Sequence, residues 1–147
     1  MESFRTIDGA RYRLIPFNYT LGQSGVAGIA TSAVVGASAT GDVQIDSGAP
    51  FLCYGIHLEA TQDTATLTTL YQFLVQIIDG DSNRVFSNYP VPRTVYGSKE
   101  FPLMLPSEAI FRPSTKITGT ITNLAAAPSA GTVYLTFRGY RMLPVQR

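Results

Sequence analysis

The sequence contains very few residues of the kinds that build catalytic or metal centres. Its 147 residues include one cysteine, Cys53, one histidine, His57, and no tryptophan. A single cysteine excludes an intramolecular disulfide, and one Cys with one His is too small a set of zinc ligands. If both lie on one strand, their Cα atoms should be about 13 Å apart, too far for a catalytic Cys–His couple. We therefore expect no enzyme, no metal and no cofactor.

Charge is also scarce. Charged residues make up 14% of the chain and the net charge is +1, against about 25% charged residues in typical soluble domains. The basic residues are spread without a run, which argues against a direct nucleic-acid partner. A charge-poor surface favours burial in a permanent assembly. Nine of the eleven basic residues are Arg, a residue favoured at interfaces; a GC-rich coding sequence is the alternative explanation of this bias.

Long apolar runs are absent as well. The longest low-polarity segment, residues 25–39, consists mostly of small side chains and is too short to span a bilayer. The first residues have no apolar signal core. We therefore expect a protein that is made in the cytoplasm, has no membrane partner, and either stays soluble or joins a cytoplasmic assembly.

Alternating hydrophobicity is the main positive signal. In residues 71–78 the apolar residues Tyr71, Phe73, Val75 and Ile77 occupy every second position, the period of a half-buried strand. Turn residues 79–83 follow, and then a short apolar run, so the segment predicts a hairpin. Residues 116–124 and 132–140 predict two more strong strands, separated by a turn at 125–131. No segment has the pattern of an amphipathic helix.

The rest of the chain is less regular. Residues 51–62 predict a strand with Leu52, Tyr54, Ile56 and Leu58 on one face, and Cys53, His57 and Glu59 on the other. Residues 21–48 are rich in small side chains, and Val26, Ile29, Val34 and Val35 predict one or two strands there. Residues 88–106 contain four prolines, which predicts a loop or an edge strand. Residues 109–111 predict only a short strand.

These segments together predict an all-β fold. We expect an antiparallel two-sheet sandwich of jelly-roll or Greek-key type with about 8–10 strands. Residues 1–20 are predicted to be an N-terminal arm or edge strand, and residues 21–147 a single sandwich domain.

Two weak chemical patterns have plainer explanations. Asp79, Asp81 and Asn83 resemble the start of a calcium loop, but Arg84 and Pro90 stand where that loop needs Gly and Glu. A hairpin turn explains them better, with incidental cation binding as the alternative.

Two carboxylates close in space could catalyse glycoside hydrolysis. Nothing in the sequence favours any one pair among the five candidates, which are Asp46, Glu59, Asp63, Glu100 and Glu108.

The order of short motifs over residues 70–141 is more specific than any single motif. The motifs are 76–79 (QIID), 82–84 (SNR), 87–92 (SNYPVP), 96–97 (YG), 101–106 (FPLMLP), 110–113 (IFRP), 122–123 (TN) and 135–141 (LTFRGYR). This order resembles small virion proteins of tailed bacteriophages, especially the capsid cement or decoration proteins of podophages such as the Bordetella phage group. The resemblance covers about half of the chain, and residues 1–50 do not contribute to it.

The resemblance implies a jelly-roll subunit on the exterior of the virion, assembled in the host cytoplasm. Its implied partners are the phage major capsid protein, whose subunits it would bridge, and further copies of itself in a homodimer or trimer. The alternative function is a head-fibre or tail-associated module that binds host glycans. That alternative predicts a shallow aromatic and carboxylate pocket, but the chain has no heptads or collagen-like repeats to form a stalk.

Tyr and Arg are the residue types enriched at interfaces, which selects the candidate partner contacts. They fall in the N-terminal segment and in the proline-rich segment: Arg5, Arg11, Arg13, Tyr89, Arg93, Tyr96 and Phe101. For the aromatic members, ordinary packing under a long loop is the competing explanation.

Overall fold

The computed structural model describes residues 2–32, 34–62, 72–81, 84–87, 89–124 and 131–145. Within these ranges the chain forms thirteen β-strands and one 3₁₀-helix, Arg93–Tyr96. The strands are β1 (Ser3–Ile7), β2 (Ala10–Thr20), β3 (Gly22–Gln23), β4 (Val26–Ala27), β5 (Ile29–Thr31), β6 (Ser38–Gln44), β7 (Phe51–Gln62), β8 (Phe73–Asp79), β9 (Arg84–Val85), β10 (Val91–Pro92), β11 (Leu103–Phe111), β12 (Lys116–Asn123) and β13 (Gly131–Pro144). Eight of these strands have five or more residues.

The strands form two antiparallel sheets. Sheet A has the order β1-β2-β13-β7-β11, with β5 also paired to β13, and sheet B has the order β10-β8-β12-β6-β3-β4, with β9 also paired to β8. Four nested pairs define the topology: β2 with β13, β6 with β12, β7 with β11, and β8 with β10. These pairs alternate between the sheets, which is the arrangement of a jelly roll. The predicted all-β two-sheet sandwich is confirmed.

The core lies between the two sheets and follows the predicted alternation. Strand β8 buries every second residue from Phe73 to Asp79, and β12 does the same from Ile117 onward. Phe111 and Phe137, which both belong to sheet A, meet edge to face in this core, with ring centroids 6.0 Å apart. One hydrophobic cluster joins both sheets, so burial of apolar surface holds them together.

Strand β7 departs from the predicted alternation. Phe51, Cys53, Ile56 and Leu58 all belong to the core cluster, although simple alternation separates Cys53 from Ile56. The register with β13 shifts at this point, because Arg138 pairs with Gly55 while the next residue pairs with Cys53. The shift is a β-bulge, which places two residues of one strand opposite one of its partner. The prediction is therefore wrong in placing Leu52 and Tyr54 on the same face as Ile56, and it is correct from Ile56 onward.

Two glycines of sheet B lie where large side chains pack against the backbone. Gly41 of the small-residue segment is opposite Gly119 of β12. A Cβ at Gly41 would lie 2.5 Å from Cγ1 of Ile29, and a Cβ at Gly119 would lie 2.6 Å from Cδ2 of Leu21. Glycine is required at both positions because these two large side chains pack directly onto the backbone of sheet B.

Val34 and Val35, predicted as strand residues, lie outside the strands and are exposed.

The predicted hairpin after β8 is present. Ile78 pairs with Val85 and Asp79 with Arg84, and the amide of Asp81 donates to Oδ1 of Asp79 at 3.1 Å. This side-chain-to-backbone bond is typical of a turn. Tyr71, residues 82–83 and the predicted turn at 125–130 lie outside the described residues.

The proline-rich segment forms an edge of each sheet. It contains β10, the 3₁₀-helix and the start of β11, which runs from Leu103 and is longer than predicted. Pro106 falls where the register between β11 and β7 shifts, between Met104 and Ala109. Proline has no backbone N–H to donate to a neighbouring strand. Because β11 is an edge strand with a neighbour on one side only, Pro106 is tolerated there.

Candidate interaction surfaces

The three N-terminal arginines lie in the β1–β2 hairpin, and each already contacts another residue of the chain. Arg5 forms an ion pair with Glu108. The Arg11 guanidinium lies 4.3 Å from the centroid of the Phe4 ring, and Nη1 of Arg13 is 3.3 Å from Oε1 of Glu2. A partner that used these arginines would share them with those contacts or replace them.

The hairpin does not collect the three arginines on one face. Arg5 is opposite Tyr12 in the register, and directly opposed residues point to the same face of a sheet. Arg11 and Arg13 flank Tyr12 in β2, so they belong to the other face. The structure therefore divides the predicted N-terminal contact set into Arg5 on one side and Arg11 with Arg13 on the other.

The face of sheet A that points away from the core carries a second apolar cluster. Leu52 is 1% and Met142 is 2% exposed, yet neither belongs to the core between the sheets. We define the outer cluster by register and ring contact as Leu14, Leu52, Tyr54, Tyr140 and Met142. The apolar surface continues onto β11 because Ile110, 43% exposed, is opposite Leu52.

The proline-rich segment presents two exposed aromatic residues and hides a third. Tyr89 is 72% and Phe101 is 81% exposed, whereas Tyr96 is 2% exposed and belongs to the core cluster. Burial raises the pKa of the Tyr96 phenol. Tyr96 is buried because it closes the 3₁₀-helix against the sandwich, so we withdraw it from the candidate partner contacts. Its role is to position the loop.

A cavity of about 370 Å³ lies between this loop and β7. Its described lining consists of Leu58, Arg93, Thr94, Gly97, Ser98 and Phe101. The loop closes on itself: the Ser98 amide donates to the Phe101 carbonyl at 3.0 Å, and the Phe101 amide donates to Oγ of Ser98 at 3.1 Å. Gly97 has a φ of +73°, a conformation that glycine adopts without strain.

Two of the predicted contact residues, Arg93 and Phe101, meet at this cavity. The Arg93 guanidinium lies 5.7 Å from the centroid of the Phe73 ring, a cation–π distance. It makes no ion pair and no hydrogen bond within the described part of the chain. Leu58, Thr94 and Ser98 were not predicted as contacts. Thr94 and Ser98 lie in a segment without a repeating pattern, and the alternation of β7 marks Leu58 as a core residue, so no sequence signal assigned the three to a cavity.

The bulge in β7 separates the lone cysteine from the lone histidine. Cys53 is buried in the core, whereas His57 pairs with Thr136 in register and points to the outer face. Burial lowers the pKa of His57, and the positive charge of Arg138 acts in the same direction. Its Nδ1 is buried without a hydrogen-bond partner among the described residues. The side chains lie on opposite faces of the strand, so they do not form a nucleophile–base pair.

Several of the acidic residues form ion pairs within the described part of the chain. Asp46 binds Nη2 of Arg141 at 2.7 Å, and Glu108 is the partner of Arg5. Asp81 lies 3.6 Å from the Arg112 side chain. In the ranges that the structure describes, no three His, Cys, Asp or Glu residues are grouped as metal ligands. Asp63 and Asn83 lie outside those ranges.

Comparison with known proteins adds no family assignment. No protein-family model matches the chain, and no curated protein matches it in sequence. Among the described residues, no helix is long and apolar enough to cross a membrane.

Proposed function

We propose that this protein is a structural virion protein that binds the outer surface of an icosahedral phage capsid. In this role it bridges major capsid protein subunits and acts as a homodimer or trimer. The jelly roll is a fold of viral capsid proteins, but also of lectins and enzymes, so the fold alone does not select this function. The motif order over residues 70–141 provides the link to phage cement proteins.

The apolar outer face of sheet A is the observation that carries the proposal. Ile110 and Met104 are 43% and 57% exposed, and both lie on β11, where Ile110 is opposite the buried Leu52 of the outer cluster and Met104 is opposite Gly55. Contiguous exposed apolar surface is uncommon on monomers and marks interaction sites. A cement subunit needs such a surface because it must hold a neighbouring protein against the outward pressure of packaged DNA.

The proline-rich segment, which leads into β11, also carries exposed apolar residues. Four exposed large apolar residues that do not line the loop cavity lie between positions 89 and 110: Tyr89, Val95, Met104 and Ile110. The core of an interface is poor in charge and rich in aromatic residues and Met. A charge-poor subunit with these residues in one segment is suited to permanent contact.

Cosedimentation with capsids tests the proposal. Purified protein is mixed with DNA-filled and with empty capsids of its phage, and the bound copies are counted by gel densitometry. We expect saturable binding at hundreds of copies per particle, on the order expected for an icosahedral shell, together with greater resistance of the shell to heat. A few copies per particle, or association with tails alone, would refute the cement role.

Matched variants locate the contact. Ile110→Ser and Met104→Ser are expected to reduce capsid binding by about tenfold or more, because exposed anchors at an interface contribute about 1–2 kcal/mol each. Val26→Ser is the control, since Val26 is 70% exposed but lies on β4 at the edge of sheet B. Equal effects of all three variants would show that the outer face of sheet A is not the contact.

A further inference from the structure

Among the described residues, the cavity between the proline-rich loop and β7 is lined by hydrogen-bond donors and by no acidic side chain. Arg93 can present five N–H donors, and Thr94 and Ser98 add two hydroxyl groups. Glu100, the acidic residue nearest in sequence, does not line the cavity within the described part of the chain. A ligand that satisfies this set is rich in acceptors and carries negative charge.

Arg93 is the centre of this set. Its side chain is half-buried, and its planar guanidinium lies over the Phe73 ring. A carboxylate can bind such a plane with two parallel hydrogen bonds. The arginines of the N-terminal hairpin differ, because Arg5 and Arg13 already have carboxylate partners.

The backbone of the loop argues against the addition of a peptide strand here. The amides of Gly97, Ser98 and Phe101 all donate to acceptors within the loop. Strand addition depends on free main-chain donors and acceptors, and these three amides are used. Recognition at this loop therefore falls to side chains. The Ser98 oxygen accepts from the Phe101 amide, which leaves its own hydroxyl proton to donate to a ligand.

Phe101 completes the site. The ring is 81% exposed and forms one wall of the cavity opposite the buried Leu58. An exposed aromatic face beside hydroxyl donors suits a molecule with one apolar face and several hydroxyl groups. The volume of about 370 Å³ is at the lower end of the range for small-ligand pockets.

We propose that this cavity binds an acidic sugar. The sugar carboxylate pairs with the Arg93 guanidinium, one face of the ring packs on Phe101, and hydroxyl groups of the sugar accept from Thr94 and Ser98. This inference does not depend on capsid binding, because it uses the loop cavity rather than the outer face of sheet A. A subunit on a virion exterior would then carry two separate surfaces, one for the shell and one for an acidic glycan.

A titration followed by NMR tests the site. The isotope-labelled full chain is titrated with methyl β-D-glucuronide and, separately, with its neutral counterpart methyl β-D-glucoside. We expect saturable shifts of the Ser98 and Phe101 amides and of Arg93 Nε. The glucuronide should bind about tenfold or more tightly than the glucoside, because a charge-assisted pair is stronger than a neutral hydrogen bond. Absence of saturable shifts, or equal affinity for both sugars, would overturn the proposal.

Three variants separate recognition from folding. Arg93→Gln should weaken glucuronide binding about tenfold or more and leave glucoside binding unchanged. Phe101→Ala should weaken both sugars to the same degree. Arg112→Gln is the matched control, because Arg112 is an exposed arginine that faces Asp81 and does not line the cavity; it should change neither affinity. Thermal unfolding of each variant verifies that it is folded.

A peptide ligand is the competing occupant. The tripeptide Gly-Glu-Gly presents a carboxylate without a sugar ring and is titrated under the same conditions. Weaker binding of the tripeptide than of the glucuronide supports the sugar site. Tighter binding of the tripeptide, or glucuronide affinity that survives Arg93→Gln, overturns it.

Discussion

Arg5 and Glu108 form an ion pair that joins the two outermost strands of sheet A. Strands β1 and β11 are four positions apart in the sheet order, which is about 19 Å in a flat sheet. The two side chains can meet only because sheet A curls toward its outer face. Leu52 and Met142 are buried on this face although they lie outside the main core.

Removal of this ion pair should loosen the hairpin without unfolding the domain. Both side chains are about 40% exposed, so Arg5→Gln is expected to change the free energy of unfolding by less than about 1 kcal/mol. Hydrogen exchange at β1 should accelerate, because the hairpin loses its link to β11. Arg13→Gln is the control, since its ion pair with Glu2 makes no contact with β11. Equal exchange rates in both variants would contradict the role of Arg5.

Two aromatic residues of the same loop should respond in opposite ways to truncation. Tyr96 is 2% exposed and Phe101 is 81% exposed. Tyr96→Ala should therefore lower the free energy of unfolding by about 3–5 kcal/mol, as for other buried aromatic residues. Phe101→Ala should change it by less than about 0.5 kcal/mol. Urea unfolding measures both values, and similar losses in the two variants would show that the loop is packed differently.

The pattern of alternation was sufficient to predict the fold class and several strands. Burial in β8 and β12 follows the sequence pattern residue by residue. In β7 the same rule failed at Tyr54, because a bulge depends on pairing with β13, and pairing is not encoded in the strand itself. The prediction that Tyr96 contacts a partner fails because it rests on residue type alone. Residue type does not indicate which aromatic side chain of a loop turns into the core.

The candidate sites were predicted only in part. Arg93 and Phe101 were named as contacts because of their residue type, and the structure brings both to one cavity. The outer cluster was not predicted. Its members come from β2, β7 and β13, and only the register places Leu14 beside Met142 and Leu52 beside Tyr140. Long-range pairing of this kind leaves no local signal in the sequence.

Gly139 should tolerate no side chain. A Cβ at this position would fall on the carbonyl oxygen of Leu52 and lie 2.7 Å from Cζ of Phe51. Gly139→Ala is therefore expected to lower the free energy of unfolding by about 1–3 kcal/mol or more, because neither the β7 backbone nor a buried ring can move aside. In Gly48→Ala the new Cβ would meet no atom within 4 Å, so this control should stay within about 0.5 kcal/mol of the wild type. Comparable losses in both variants would contradict the close approach of β13 to β7.

The stability of the protein should depend on the protonation of His57. Burial lowers the pKa of His57 below its ordinary value of 6.5, and Arg138 and Lys99 reinforce the shift against the opposite effect of Glu59. The unfolded chain therefore binds the proton at a higher pH than the folded chain does. Between the two pKa values the unfolded state carries more protons, so the free energy of unfolding must fall as the pH decreases through about 6.5.

Urea unfolding at a series of pH values between about 7.5 and 5 measures this dependence. His57 is the only histidine in the sequence, so few other groups titrate in this window. In His57→Gln the loss of stability on acidification should be smaller, whatever the absolute stability of the variant. An unchanged slope in His57→Gln, or a wild type that becomes more stable as the pH falls, would show that the buried Nδ1 does not resist protonation.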